Sequence, residues 1–232
     1  MACGSGATDF AGELTRDPVD HLVCFAVKEE AAYFLPARSR SDAIQVRITG
    51  MGRRNAAEGI RNAVTRVDPD CVLTCGFAGG LNPALSLGTV IFDQDFDAGV
   101  SERLMELGAV SGRFHCSKRV AVTVAEKRVL WESTGADAVE MESSVIRTIC
   151  RELRIPSATI RVISDTAHDD LPLDFNALMT SNDRIDFVKL ALALLRSPRR
   201  IPQLISFQRQ TIVAARRLGE VLQGLLKVPG RI

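Results

Sequence analysis

Histidine, tryptophan and tyrosine are nearly absent: the 232 residues hold three, one and one of them. With only His21, His115 and His168, and with no CxxC pair among Cys3, Cys24, Cys71, Cys75, Cys116 and Cys150, no spacing matches a zinc cluster. No metal is implied. Neither charge sign is in excess. Twenty-nine basic and 28 acidic residues leave a net charge of +1, so nothing global points to nucleic acid or an acidic partner. No apolar run approaches the roughly 18 to 20 residues of a spanning helix. The opening stretch MACGSGATDFAGELTRD has neither the basic nor the apolar region of a secretory signal. A GxGxxG fingerprint and a Walker loop are also missing.

What is present is a core. Apolar residues make up 46% of the chain, enough for one large domain with an appendage. Cys24, Cys71 and Cys75 lie in apolar runs and read as buried, reduced thiols of a cytoplasmic protein. His21–Val27 reads as a buried strand, followed by a helix from Lys28 to Leu35 that Pro36 ends. Ala43–Thr49 alternates as an edge strand does. A helix from Ala56 to Val67 has Asn55 as its expected N-cap. Cys71–Cys75 is a third strand, with Gly76-Phe77-Ala78-Gly79-Gly80 as a close-approach loop after it. Gly88–Phe92, Ala109–His115 and Val120–Thr123 are further expected strands, and Ser101–Leu107 a short helix. Thr123-Val124-Ala125-Glu126 has capping-box spacing and predicts a helix from Val124 to about Ser133.

The most informative stretch runs from Ala138 to Leu173. It reads as a short strand, a helix over Ser143–Arg154 opened by Glu142, and a strand from Ser157 that ends in Ser164-Asp165. The alternation predicts an α/β fold: a single domain with a central mixed, mostly parallel sheet flanked by helices. Ligands of such sheets bind outside the carboxyl ends of the strands, so Glu142 and Asp165 can face one crevice, and two acids in different surroundings can divide the breaking of a glycosidic bond. Taken singly, Asp165 is a strand-end acid, Glu142 a carboxylate at a helix start, Glu29 and Glu30 a solvated first turn, and Met141 core. Arg161 reads as a structural ion-pair partner.

Four stretches, AVKEEAAYF, ITGMGRRNA, LTCGFAGGLNPALSLGTVI and GADAVEMES with IRVISD, together resemble the nucleoside phosphorylase superfamily over about residues 20–180. The nearest branch in this resemblance is the 5′-methylthioadenosine/S-adenosylhomocysteine nucleosidases. The resemblance implies roles. Asp165 would protonate N7 of a purine, Glu142 would grip the ribose hydroxyls, and Met141 would pack beside the sugar. Glu30 would orient the attacking water. Gly76, Phe77, Ala78, Gly79, Glu140 and Ser164 complete the substrate-binding set. No cofactor follows from it beyond inorganic phosphate as a co-substrate, and family habit implies a homodimer.

The loop Gly76–Gly79 carries no arginine, which departs from the phosphorylase pattern and favours water. Arg53 and Ser117 are the residues for a phosphate if phosphorolysis applies, with Lys118 and Arg119 beside the latter. A non-catalytic nucleoside-binding module is the alternative of another class. The chain divides by this reading into a weakly ordered lead (1–19), the nucleosidase-like domain (20–182) and a helical extension (183–232). In the extension, Ile185, Val188, Leu192 and Leu195 share one face of a helix expected over Asp183–Arg196. A second amphipathic stretch, Ile201–Lys227, carries Arg209, Arg216 and Arg217. This tail resembles that of the hopanoid-associated phosphorylases, which act on adenosylhopane. That implies a purine nucleoside with a bulky 5′ group and contact of the basic helices with a membrane surface, against the plainer reading of helices packed on the domain.

Overall fold

The computed structural model describes residues 17–35, 43–95, 98–180, 186, 188–190, 192 and 198–226. Eight strands form one sheet. Its centre is β3 (Val67–Gly80), paired in parallel with β1 (Asp17–Phe25) on one side and β8 (Ser157–Asp165) on the other. Beyond β1 lies β2 (Ile44–Ile48) at the edge, where its alternation had placed it. Beyond β8 run β4 (Val90–Asp95), antiparallel to it, and the two-residue β5 (Val110–Ser111). Every residue of β8 is buried, because helices cover both faces. That is why its sequence is a continuous apolar run instead of an alternation.

β3 is longer than expected. The glycine segment Gly76–Gly80 is not a loop after the strand but its continuation. Between Ala78 and Gly79 the pairing with β8 slips: Ala78 faces Ile163, but Gly79 faces Asp165. Past this bulge β3 pairs antiparallel with β7 (Ala138–Glu140), which in turn pairs with β6 (Phe114–Cys116). A bulge bends its strand and re-aims side chains; here it brings the end of β7 beside the end of β8.

Among the helices, α1 (Lys28–Ala31) is one turn and continues as turn through Leu35. α2 (Gly52–Val64) starts four residues earlier than expected. Met51 occupies its N-cap position, and Asn55 lies inside the first turn with its Nδ2 donating to Met51 O at 2.8 Å. Asn55 is therefore not the N-cap. After α3 (Ser101–Glu106), α4 (Val124–Thr134) has the capping box its sequence announced, with Thr123 and Glu126 exchanging bonds. Val120–Thr123 is not a strand. Val120 has its backbone N–H and C=O satisfied by the Asn176 side-chain amide at 2.8 and 3.0 Å, so a side chain takes the place of a neighbouring strand. The run expected as one strand over Ala109–His115 is split into β5 and β6 at Gly112-Arg113, where the Arg113 backbone N–H bonds Asp137 instead.

α5 (Ser143–Leu153) packs on α2, with Ile146, Ile149 and Cys150 against Ile60, Ala63 and Val64. α6 (Phe175–Leu178) is a single turn capped by Asp174. The helix expected over Asp183–Arg196 falls largely outside the described residues. A 3-10 turn, Pro198–Arg200, leads into α7 (Ile201–Leu225). The C-terminal half of α7 is part of the main core: Ala214, Leu218, Val221 and Leu222 are buried with Val23, Leu73 and Ile160. Each of the valine, leucine and isoleucine side chains in this set contributes roughly 1.5–3 kcal/mol. The N-terminal half leaves Ile201, Ile205, Ile212 and Val213 exposed. No helix among the described residues is long and apolar enough to cross a membrane.

Candidate active site

The carboxyl ends of β1, β3 and β8, with the turn after β7, surround a cavity of about 510 Å³. Glu30, Glu142 and Asp165 all line it, from positions 112 and 23 residues apart in the chain, together with Phe77, Ala78, Gly79, Glu140, Met141 and Ser164. Its remaining walls are mostly apolar and include Met51, Val120, Leu171, Phe175, Met179 and Phe207.

Glu30 is held by backbone. Its Oε2 accepts from the N–H groups of Ala26 and Val27 at 2.9 and 3.1 Å, and its Oε1 from Phe77 N–H at 2.8 Å. This carboxylate thus ties the end of β1 to the carboxyl-terminal part of β3. Gly76 does not itself line the cavity, but it makes that tie possible: a Cβ there would lie 2.4 Å from Glu30 Oε1. Burial pushes the Glu30 carboxyl up from its ordinary range, against the pull of Arg161 and the three N–H donors.

Glu142 and Glu140 exchange the roles that their positions suggest. Glu142 stands at the N-cap position of α5 but makes no capping bond. Glu140 serves α5 instead: its Oε2 accepts from the N–H groups of Glu142 and Ser143 at 3.0 and 2.7 Å, and its Oε1 from the Ser143 hydroxyl. Glu142 is thereby free to reach the start of another helix, accepting from Gly52 N–H of α2 at 2.8 Å. Burial raises the Glu142 carboxyl to about 7, with Arg161 opposing the rise.

Arg161 lies on β8 at the centre of these acids, 2% exposed. It donates to Glu140 at 2.9 Å and to Thr74 Oγ1 at 3.2 Å, and stands 3.8 Å from Glu142. Burial disfavours the Glu140 charge, yet Arg161 and the Ser143 bonds outweigh it and hold that carboxyl below its ordinary value. Arg161 is accordingly the ion-pair partner its strand position suggested. Its Nε is buried with no hydrogen-bond partner among the described residues.

Asp165 ends β8. Its Oδ1 accepts from Ser164 Oγ at 2.8 Å, and its Oδ2 lies 2.6 Å from the ammonium of Lys127, whose side chain is fully buried. Nothing in the sequence marks Lys127 for this place. It stands between Glu126 and Arg128 on a helix, where a lysine ordinarily faces water. Arg53 and Ser117 are outside the cavity wall: Arg53 is exposed on α2, and Ser117 turns its hydroxyl to the Arg119 N–H. Arg119 is the one basic side chain that lines the cavity among the described residues. Its only sequence signal was the Ser117-Lys118-Arg119 cluster. Among the described residues no group of His, Cys, Asp and Glu is placed to hold a metal.

A family model described as the phosphorylase superfamily matches residues 92–196. The chain carries the phosphorylase-superfamily fold. Solved structures agree over almost its full length. A 5′-methylthioadenosine/S-adenosylhomocysteine nucleosidase from Neisseria meningitidis is 19% identical, with a TM-score of 0.66 over 90% of this chain and 98% of that one. The corresponding nucleosidase of S. pneumoniae is 16% identical, again at 0.66, over 90% and 99%. The futalosine hydrolase of Helicobacter pylori is 15% identical at 0.63, over 90% and 97%. The first two were solved with methylthio-immucillin-A and the transition-state inhibitor MT-ImmA. In this superfamily fold the matched stretch begins within β4 and contains β7, α5 and β8, so it includes Glu140, Glu142, Arg161 and Asp165 but not Glu30.

Proposed function

We propose that the protein cleaves the N-glycosidic bond of a purine nucleoside, releasing the free base, with adenine as the base, an apolar 5′ substituent and water as the nucleophile. One observation carries the reading: Glu30, Glu142 and Asp165, from three separate parts of the chain, line a single cavity. Departure of a purine leaves positive charge on the ribose ring and negative charge on the base. Buried carboxylates beside the sugar favour the first, and a proton delivered to N7 cancels the second.

In this scheme Asp165 meets N7. Glu142, with its carboxylate oriented by Gly52 and Arg161, accepts from the ribose hydroxyls. Glu30 takes the proton of the attacking water; three backbone N–H bonds fix its carboxylate in place, and burial raises its affinity for that proton. Two features support water over phosphate. An oxyanion of that charge is bound by several cationic or backbone donors, and the cavity has Arg119 alone as a basic lining residue among those described. The two buried cations nearby, Arg161 and Lys127, are engaged by Glu140 and Asp165. The apolar walls at Met51, Phe175, Met179 and Phe207 support a hydrophobic 5′ group.

Chromatographic measurement of free adenine from 5′-methylthioadenosine and adenosine, with and without inorganic phosphate, tests the proposal. Release in phosphate-free buffer is expected. A strict phosphate requirement would replace hydrolysis by phosphorolysis, and tight nucleoside binding without any release would replace the enzyme by a binding module.

A further inference from the structure

Lys127 is the buried cation that the scheme above leaves unused. Its side chain has no exposure, and all three of its N–H bonds are accounted for: one to Asp165 Oδ2 at 2.6 Å, one to Thr166 O and one to Asp169 O, both at 2.7 Å. Taking an ammonium fully out of water costs several kcal/mol even after relaxation, so a place under the carboxylate of a cavity-lining acid calls for a reason. The charged groups facing it come from one side. Asp165 ends β8, and Asp169 with its neighbour His168 belongs to the turn that follows. On its own helix, Glu126 is turned back onto the Val122 and Thr123 N–H groups and Arg119.

Asp165 has both oxygens engaged as acceptors, one from the Ser164 hydroxyl and one from Lys127. No other carboxylate is hydrogen-bonded to it among the described residues, so it is not half of a proton-sharing acid pair. The donors in contact with it are the Lys127 ammonium and the Ser164 hydroxyl. We propose that Lys127 is a positioning residue that also supplies the proton for base departure, acting through Asp165; this rests on the nucleosidase reading. As the C1′–N9 bond breaks, its electron pair passes to the purine ring. The Lys127 ammonium passes a proton to Asp165 Oδ2 as Asp165 passes one to N7, so the carboxylate ends as it began. The lysine is left neutral and regains its proton from solvent after the base leaves. The water adds hydroxide to C1′ and its proton goes to Glu30; Glu30 then releases that proton to solvent, matching the one Lys127 regains, so the proton count closes over one turnover.

Lys127→Arg separates this from simple charge pairing, because a guanidinium keeps the positive charge and does not release its proton. With 5′-methylthioadenosine in phosphate-free buffer, Lys127→Arg and Lys127→Met are each expected to lower kcat by about 10²-fold or more, with KM changed by less than about threefold. Small primary amines should restore part of the activity of Lys127→Ala, in an order that follows amine basicity. Should Lys127→Met fail to fold, the neutral pair Lys127→Met/Asp165→Asn removes the uncompensated charge. It should be no slower than Asp165→Asn alone, since the two residues act as a unit. Wild-type kcat in Lys127→Arg, or losses that multiply in the double variant, would overturn the assignment while leaving the nucleosidase reading intact. Absence of base release by the wild-type protein from every purine nucleoside would remove both.

Discussion

Replacing Glu142 by glutamine should change the way stability depends on pH, and the structure sets the size of the change. Glu142 is 9% exposed, and its carboxyl is raised from 4.5 to about 7, chiefly by burial. Its folded form therefore binds a proton more tightly than its unfolded form. The stabilisation this represents is complete below the unfolded value, falls as pH rises from 4.5, and is gone above about 7. At 1.36 kcal/mol per unit the whole effect is about 3 kcal/mol, and about 2.5 kcal/mol of it falls between pH 5 and 8.5. Glutamine keeps an oxygen for the Gly52 N–H but does not titrate. Urea melts of wild type and Glu142→Gln at half-unit steps across that window should show the variant gaining on wild type by about this amount, while the contributions of groups not coupled to Glu142 cancel in the difference. A difference that stays level within about 0.5 kcal/mol from pH 5 to 8.5 would refute the argument. It would mean that Arg161, 3.8 Å away, already compensates the buried charge.

Three other outcomes follow from the same packing. Gly76→Ala puts a carbon 2.4 Å from Glu30 Oε1 and should displace that carboxylate, lowering kcat by about tenfold or more with a measurable loss in melting temperature; wild-type kinetics would show that Glu30 needs no fixed position. Arg161→Met leaves Glu140 buried without its cation and should cost about 3–5 kcal/mol in chemical denaturation, with the loss shrinking at low pH as the acids protonate. For membrane contact, the exposed face Ile201, Ile205, Ile212 and Val213 beside Arg209 and Arg216 is the part of α7 to alter. Pelleting with anionic phosphatidylglycerol vesicles that is lost in Ile205→Glu/Ile212→Glu would support a lipid-facing role; equal pelleting, or none by either protein, would remove it. Deleting the chain from residue 183 is the wrong test, because it strips Ala214, Leu218, Val221 and Leu222 from the main core.

Much of this fold is visible in the local pattern of residues. Buried parallel strands are apolar runs, and the Thr123–Glu126 capping box and the amphipathic α7 are signals carried within a few residues. The acids at the cavity were legible only through the resemblance of their motifs to the nucleoside phosphorylase superfamily; taken singly each reads as structural. What local pattern does not encode is which partner a side chain reaches. Glu140 and Glu142 are two residues apart, yet one caps α5 and the other binds Gly52, 90 residues away. Lys127 looks like a solvated residue of a charged turn until α4 is laid under the end of β8. The Gly76–Gly80 run looks like a loop, since its strand character comes from β7 and β8 pairing with it on either side of the bulge. Val120 looks like a strand residue and is one in its bonding, but to the Asn176 side chain.

The central claim is that three distant acids act on one nucleoside. Steady-state adenine release from 5′-methylthioadenosine in phosphate-free buffer, by wild type and by Glu30→Gln, Glu142→Gln and Asp165→Asn, measures it most directly. The account predicts turnover by the wild type and a fall of about 10²-fold or more in kcat/KM for each variant, all of them still folded. Undiminished release by any one of the three would contradict it.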